Sequence, residues 1–291
     1  LPPLPHPLPS MFRRLLQPLL LMMALAAGLF VSLCALVHAE SRAFAVETYR
    51  VPIDQWADSL PPVRIAVIAD LHVKSWDGEQ LDAIVDAIRR ASPELILMAG
   101  DFIEGVRRDQ AMSHEDIARH LAPLSRIAPV YYVFGNHDLT NAWGKLHKAF
   151  GQNGFVFMEG SRLRLKLSEG RTMDLQGVPF FEGTGKHLEK LFAAPREASV
   201  PLVVLCHTPI GFDERALDLD LVVAGHTHGG QVCGPDGTPL FAVHGLPAER
   251  LRAGLKRSPS GRPIFVTRGL GWSRAPLRLN CRPEVAILEL R

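Results

Sequence analysis

The sequence predicts an α/β fold: a sheet with helices packed on it and polar chemistry gathered at the strand ends. Two observations predict it. Short apolar runs at 63–68, 95–98 and 130–134 each end in a polar loop and are followed by a helical pattern. Every notable polar cluster also stands just after such a run. These clusters are Asp70-Leu-His72, Gly100-Asp101, Gly135-Asn-His-Asp138, Cys206-His207 and Gly225-His-Thr-His228. Ligands of open α/β sheets gather at the carboxyl ends of strands.

Residues 1–14 read as a Pro-rich and basic N-terminus, with Met11 opening a more natural start than Leu1. Residues 15–38 carry no charged side chain and are long enough to span a bilayer as one helix. Two readings fit them: an uncleaved anchor, or a signal peptide cleaved near Val37-His38-Ala39. The anchor reading predicts a single pass through a bacterial inner membrane. Arg13 and Arg14 would stay in the cytoplasm and the rest of the chain would face outward. Arg42 and Arg50 on the other flank leave the cytoplasmic face open.

From residue 45 to 291 the pattern is one globular domain. An edge strand is expected at 44–51 and a buried strand at 63–68. A helix at 80–91 follows, with apolar residues at 81, 84, 85 and 88. A strand at 95–98, a helix at 115–126, a strand at 130–134 and a helix at 141–150, capped by Asn141, come next. Segments 155–157, 162–167 and 172–177 look like a β-meander. A short helix at 186–192, strands at 202–205 and 220–224, and late strands at 263–267 and 285–290 complete the chain.

With 291 residues, 47% of them hydrophobic, the chain can bury a large core. Its net charge of +2 makes no electrostatic case for nucleic acid. Cys34, Cys206, Cys233 and Cys281 are scattered without CxxC spacing. They are expected to be independent buried or free thiols, not a disulfide framework or thiolate zinc site.

The strand-end clusters offer Asp70, His72, Asp101, Asn136, His207, His226 and His228 as metal ligands. This donor set is nitrogen and oxygen without thiolate, suited to Mn²⁺, Fe or Zn²⁺. It is too large for one ordinary site and suits two divalent ions sharing a carboxylate, with Asp101 central. Two cations neutralise phosphoryl oxygens and favour in-line attack on phosphorus. Arg268, Arg274 and Arg278 could hold a phosphate, and His244 could line the pocket. Trp272, Phe241 and Leu246 could form an apolar rim.

Taken in order, these five motifs resemble those of calcineurin-like metallophosphoesterases, over 60–291. The resemblance implies a four-layer αββα sandwich, here preceded by an N-terminal hydrophobic helix, and hydrolysis of phosphoester or phosphoanhydride bonds. It implies that Asp70, His72 and His228 hold one ion, that Asn136, His207 and His226 hold the other, and that Asp101 bridges them. His137 would stabilise the transition state or protonate the leaving oxygen, and Asp138 would orient His137. The tail (Thr267-Arg-Gly-Leu-Gly271, Pro276-Leu-Arg-Leu-Asn280 and Arg282-Pro-Glu284) is similar to a bacterial branch of membrane-anchored or exported phosphodiesterases. That branch includes enzymes similar to UDP-2,3-diacylglucosamine pyrophosphatases of lipid A synthesis. A lipid-linked nucleotide and a soluble phosphoester are thus both expected substrate classes, and a catalytically silent scaffold is the third alternative. Val178-Pro-Phe-Phe181 departs from the family pattern, where a more polar loop is expected.

Overall fold

The computed structural model describes residues 10–57, 59–105, 108–139, 143–180, 186–193, 195–212, 214–241, 252–273 and 275–291. It opens with α1 (Ser10–Arg42), a 33-residue helix. Its stretch Leu16–Arg42 is long and apolar enough to cross a membrane, by length and composition. Leu25, Leu29 and Phe30 on it are exposed, whereas Val37 and Ser41 near its end are buried. There Glu40 Oε1 accepts a hydrogen bond from the Cys281 amide at 3.3 Å.

Two six-stranded mixed sheets form the domain. In the first, β1 (Ala45–Val51) is followed in space by β12 (Glu284–Leu290), β2 (Val63–Ile68), β3 (Leu95–Ala99), β4 (Val130–Val133) and β5 (Val156–Phe157). In the second the order is β10 (Gly254–Arg257), β11 (Pro263–Val266), β9 (Leu221–Ala224), β8 (Leu202–Cys206), β7 (Thr172–Val178) and β6 (Arg162–Lys166). The β2–β3–β4 and β7–β8–β9 ladders are parallel. Strands there are covered on both faces, so they read as continuous apolar runs.

Three apolar layers hold the stack together. Ile65, Val67, Leu97 and Val133 of the first sheet meet Leu175, Val203, Leu205 and Val223 of the second. On the outer face of the first sheet, Ile68, Ile96 and Tyr132 pack against α2 (Gly78–Ala91), α3 (His114–Leu121) and α4 (Trp143–Gln152). The outer face of the second sheet is covered more thinly, by Leu188 and Phe192 around the six-residue α5 (Lys186–Leu191) and by Phe212. This is the expected αββα sandwich with one slender outer layer.

Three elements differ from expectation. The helix expected to run to 126 ends at Leu121, and Ala122–Arg126 tightens into a 3-10 turn. Pro123 there cannot donate the next helical hydrogen bond. The expected meander is divided between the sheets. Strand β5 pairs with β4, and Met158 N still donates to Tyr132 O in the first sheet. The chain then crosses, since Gly177 N of β7 donates to Ser161 O, and β6 and β7 form a hairpin in the second sheet. Strand β10 was not expected. It is a short, half-exposed edge of sequence Gly-Leu-Lys-Arg with no apolar period. The expected cap Asn141 lies outside the described residues.

Candidate metal centre

The centre is built at the carboxyl ends of strands from both sheets. Asp70 and His72 leave β2, Asp101 leaves β3, Asn136 and His137 leave β4, His207 leaves β8, and His226 and His228 leave β9. Five of these residues have left-handed backbone: Asp70 at φ 52°, His72 at 43°, Asp101 at 55°, His226 at 71° and His228 at 51°. Such conformations cost of order 1–3 kcal/mol each for a residue with a side chain and persist only where the surroundings impose them. Here Asp70 N donates to Gly100 O at 2.9 Å, His72 N to Asp101 O at 3.1 Å, and Gly225 N to His207 O at 2.9 Å. His226 N donates to the Asp70 carboxylate at 3.0 Å.

The strand ends approach more closely than side chains would allow. A Cβ on Gly135 would lie 2.2 Å from Asp101 Oδ1. One on Gly100, at φ 85°, would lie 2.5 Å from Gly135 N and 2.8 Å from His207 Nδ1.

Three ligand groups result. Two are fully buried, Asp70, His72 and His228, and Asp101, His207 and His226; the third is His72, Asp101 and the half-buried His137, and within each group the candidate ligand atoms lie within 4.8 Å of one another. Asp101 joins the two buried groups. Its Oδ2 is 3.6 Å from His72 Nε2 and 3.2 Å from His207 Nε2. In the first group His72 Nε2 and His228 Nε2 are 3.2 Å apart, and His228 Nε2 is 3.7 Å from Asp70 Oδ1. In the second, His207 Nε2 is 3.0 Å from His226 Nδ1 and 3.2 Å from Asn136 Oδ1.

The donor chemistry fits a pair of cations. His207 Nδ1 lies 2.7 Å from the Ala99 carbonyl, which can only accept. That fixes a proton on Nδ1 and turns Nε2 toward Asp101. Burial lowers His207, but Asp101 and Asp70 outweigh it and hold the ring up at about 9, so a cation at Nε2 would take the place of a proton. Nδ1 of both His72 and His228 is buried without a hydrogen-bond partner, while their Nε2 atoms face each other and the carboxylates. Burial pulls His72 down to about 4, and pulls His228 well below its ordinary value, with His72 adding to the effect. Both imidazoles are therefore neutral and ready to coordinate at neutral pH. Burial pushes both key carboxyls up. The neighbouring imidazoles of His207, His72 and His137 outweigh it at Asp101, which is held far below the usual range. Asp70 stays high, at about 7, because burial outweighs the pull of His207, with the charge of Asp101 adding to burial. Two adjacent buried carboxylates among converging imidazole nitrogens form a donor set suited to divalent cations.

Asp138 does not orient His137. Its carboxylate is fully buried and accepts from four backbone N–H groups: Asp101 at 2.7 Å, Phe102 at 2.8 Å, Ile103 at 3.1 Å and Gly135 at 2.9 Å. It braces the turn that presents Asp101. His137 is half-buried; its amide donates to Asp101 Oδ1 at 2.8 Å and its ring meets the His72 ring edge-on at 4.6 Å.

Arg278 does not face a substrate either. It is fully buried, and its guanidinium donates to the carbonyls of Gly271, Arg268, Cys281 and His228. Arg268 is partly exposed and tied to Tyr49 Oη at 3.2 Å and Glu284 at 3.5 Å. His244, Arg274, Leu246 and Phe181 lie outside the described residues. Trp272 is buried and its ring takes the Lys74 ammonium at 3.9 Å, so it is core. The apolar loop at 178–181 has a role: the Phe180 ring stands 5.7 Å from both His207 and His226, walling the second group.

Several supporting residues were missed. Lys74 is buried, donates to the His72 carbonyl at 2.8 Å and pairs with Glu104 at 2.9 Å. Only its position two residues after His72 hinted at this. Gln231 clamps the tail, donating to Ser273 O and accepting from Ser273 N at 2.8 Å.

A model of the family described as calcineurin-like phosphoesterase matches residues 63–230. Phosphodiesterase YaeI of Escherichia coli is 33% identical over 241 residues, covering 80% of this chain and 84% of that protein. The uncharacterized metallophosphoesterase YkuE of Bacillus subtilis is 26% identical, covering 78% and 79%. A zebrafish (Danio rerio) transmembrane protein with a metallophosphoesterase domain is 25% identical, covering 83% of this chain and 56% of its own length. The matched segment spans the strand ends from Asp70 to His228, and on these grounds the chain belongs to the calcineurin-like phosphoesterase family, enzymes that hydrolyse phosphoesters at a dinuclear metal centre.

Proposed function

We propose that this chain is a membrane-anchored phosphodiesterase with its catalytic domain at 45–291 and two Mn²⁺ ions, Fe or Zn²⁺ being chemically compatible. Asp70, His72 and His228 hold one ion, Asn136, His207 and His226 the other, and Asp101 both. The observation that carries this is the pair of buried ligand groups meeting at one carboxylate. When bound, the two cations neutralise phosphoryl oxygens and supply Lewis-acid activation. The chain's own groups then position and protonate. Asp138 fixes the Asp101 turn, Lys74 steadies the His72 backbone, and His137 delivers a proton to the leaving oxygen. The phosphodiesterase name of the Escherichia coli relative supports a diester substrate. The test is hydrolysis of bis(p-nitrophenyl) phosphate beside p-nitrophenyl phosphate, with Mn²⁺ and with chelator. Metal-dependent turnover of the diester is expected; chelator-insensitive turnover or monoesterase activity alone would reject the reading.

Gly105 gives a test of His137 that leaves the ligands alone. A Cβ there would lie 2.3 Å from His137 Nδ1 and 2.8 Å from its Cγ, so Gly105→Ala must push the ring aside. Misplacing a catalytic group by about 1 Å costs on the order of 10²-fold. Kinetics and metal analysis of this variant should show that loss with both ions retained. Unchanged turnover would mean the ring is not used.

An amphiphilic phosphoester or phosphoanhydride at the bilayer surface is the favoured substrate class, with the pyrophosphate of UDP-2,3-diacylglucosamine as its specific form and a soluble diester as the second reading. The end of α1 meets Cys281, beside the His228 loop. Exposed Leu277 and Leu240 border the same tail, because Leu240 N bonds Val232 O and Val232 pairs with Leu279. The basic flank at Arg13 and Arg14 favours the outer face of a bacterial inner membrane, where UDP-sugars are scarce, and so counts against UDP-2,3-diacylglucosamine itself. Removing residues 1–36 spares Val37, Glu40 and Ser41. It should yield a detergent-free protein with unchanged turnover of bis(p-nitrophenyl) phosphate. Hydrolysis of vesicle-embedded substrate should fall by at least about tenfold, as local concentration is lost. Equal activity on both would favour the soluble reading.

A further inference from the structure

We propose that Cys233 and Cys281 are a redox-active pair that closes to a disulfide behind the metal loop. They lie 48 positions apart in sequence, but the Val232–Leu279 bridge brings their strands together. Cys233 N donates to Leu279 O at 2.9 Å, and Asn280 Nδ2 to Cys233 O at 3.1 Å. The thiols converge on one atom: Cys233 Sγ is 3.2 Å and Cys281 Sγ 3.6 Å from the Gly229 carbonyl oxygen. Neither is a metal ligand, and the hydrolytic reading uses neither. Both line a cavity of about 360 Å³ with Gly229, Arg252 and Arg268, so a small reagent can reach them although each side chain is almost wholly covered. Cys34 and Cys206 lack these features: Cys34 is on the exposed face of α1, and Cys206 is buried at the end of β8.

The oxidant is a disulfide, such as oxidised glutathione or a protein disulfide. One thiolate attacks a sulfur of the donor, forming a mixed disulfide and releasing one thiol. The other thiolate attacks the cysteine sulfur of the mixed disulfide, forming Cys233–Cys281 and releasing a second thiol. Two electrons pass to the donor, and the two cysteine protons end on the released thiols. The bond would tie the tail after Arg278 to the strand after Gln231, bracing the backbone behind His228. An oxidising compartment outside the cytoplasm would keep it closed.

The full-length protein, incubated with oxidised glutathione and alkylated without reduction, should give a tryptic pair linking the peptides of Cys233 and Cys281. Cys206 should become alkylated only on denaturation. The oxidised protein should melt about 5 °C or more above the reduced one, as expected for closing a long loop. Cys233→Ser should abolish the linked pair and the rise in melting temperature. Alkylation of both thiols after oxidation, a stable glutathione adduct on either, or a bond to Cys34 would each overturn the proposal. Peptide mapping is done on the unaltered chain, so the result does not depend on a variant folding.

Discussion

Asp101→Asn should lower turnover by on the order of 10³-fold and reduce the content of both ions, because removing a shared carboxylate forfeits several kcal/mol of charge stabilisation. The substitution is nearly isosteric, and Asn tolerates the left-handed backbone that Asp101 adopts at φ 55°. The fold should therefore survive. The amide oxygen can still accept from His137 N, as Asp101 Oδ1 does at 2.8 Å. The other position becomes an NH₂ group facing His207 Nε2 and His72 Nε2, where Asp101 Oδ2 stands at 3.2 and 3.6 Å. That group cannot coordinate a cation. Asp70 and Asn136 serve one group each, so their loss should weaken mainly one ion. Elemental analysis of Asp101→Asn showing two ions at full occupancy would reject the shared role.

His137→Ala should keep both ions and lose about 10² to 10⁴ in turnover, the usual range for one general acid. Its backbone amide still donates to Asp101, so the turn at the bridging carboxylate stays in place. What disappears is the imidazole packed edge-on against His72. Proton delivery matters most for a poor leaving group. The loss should therefore be larger for an alkyl ester than for a p-nitrophenyl ester, whose phenolate leaves unaided. An equal loss on both would point to electrostatic support instead of proton transfer. Loss of metal would show that the ring stabilises the first ligand group.

Much of the site was legible because its residues are local signals. An apolar run ending in Asp-x-His or Gly-Asp announces a strand end, and five such ends in order define a shared edge. What was illegible depends on partners supplied from elsewhere in the chain. Asp138 reads the same whether it faces His137 or four backbone amides, and only the path of residues 101–103 decides. Arg278 reads as an exposed cation, since arginine is rarely buried. It is interior because four carbonyls of a curled tail converge on it. The 155–177 segment alternates like a meander, but alternation cannot say which of two sheets a strand joins. Cys233 and Cys281 share no motif, and the β-bridge that unites them involves a single residue on each side.

The glycines are legible only in part. Gly100 and Gly135 are recognisable as turn residues, but the reason they cannot be larger is their mutual contact beside Asp101 and His207. The left-handed conformation of Asp70, His72, Asp101, His226 and His228 has no sequence signature. It goes with backbone hydrogen bonds made between strand ends, such as Asp70 N to Gly100 O and His72 N to Asp101 O.

Metal stoichiometry followed through reconstitution tests the centre most directly. The purified chain is stripped with chelator, Mn²⁺ is added in steps, and bound metal and diester turnover are read together. We expect two ions per chain, with turnover rising only as the second is filled. Full turnover at one ion per chain, or no bound metal at all, would contradict a centre built on the shared carboxylate of Asp101.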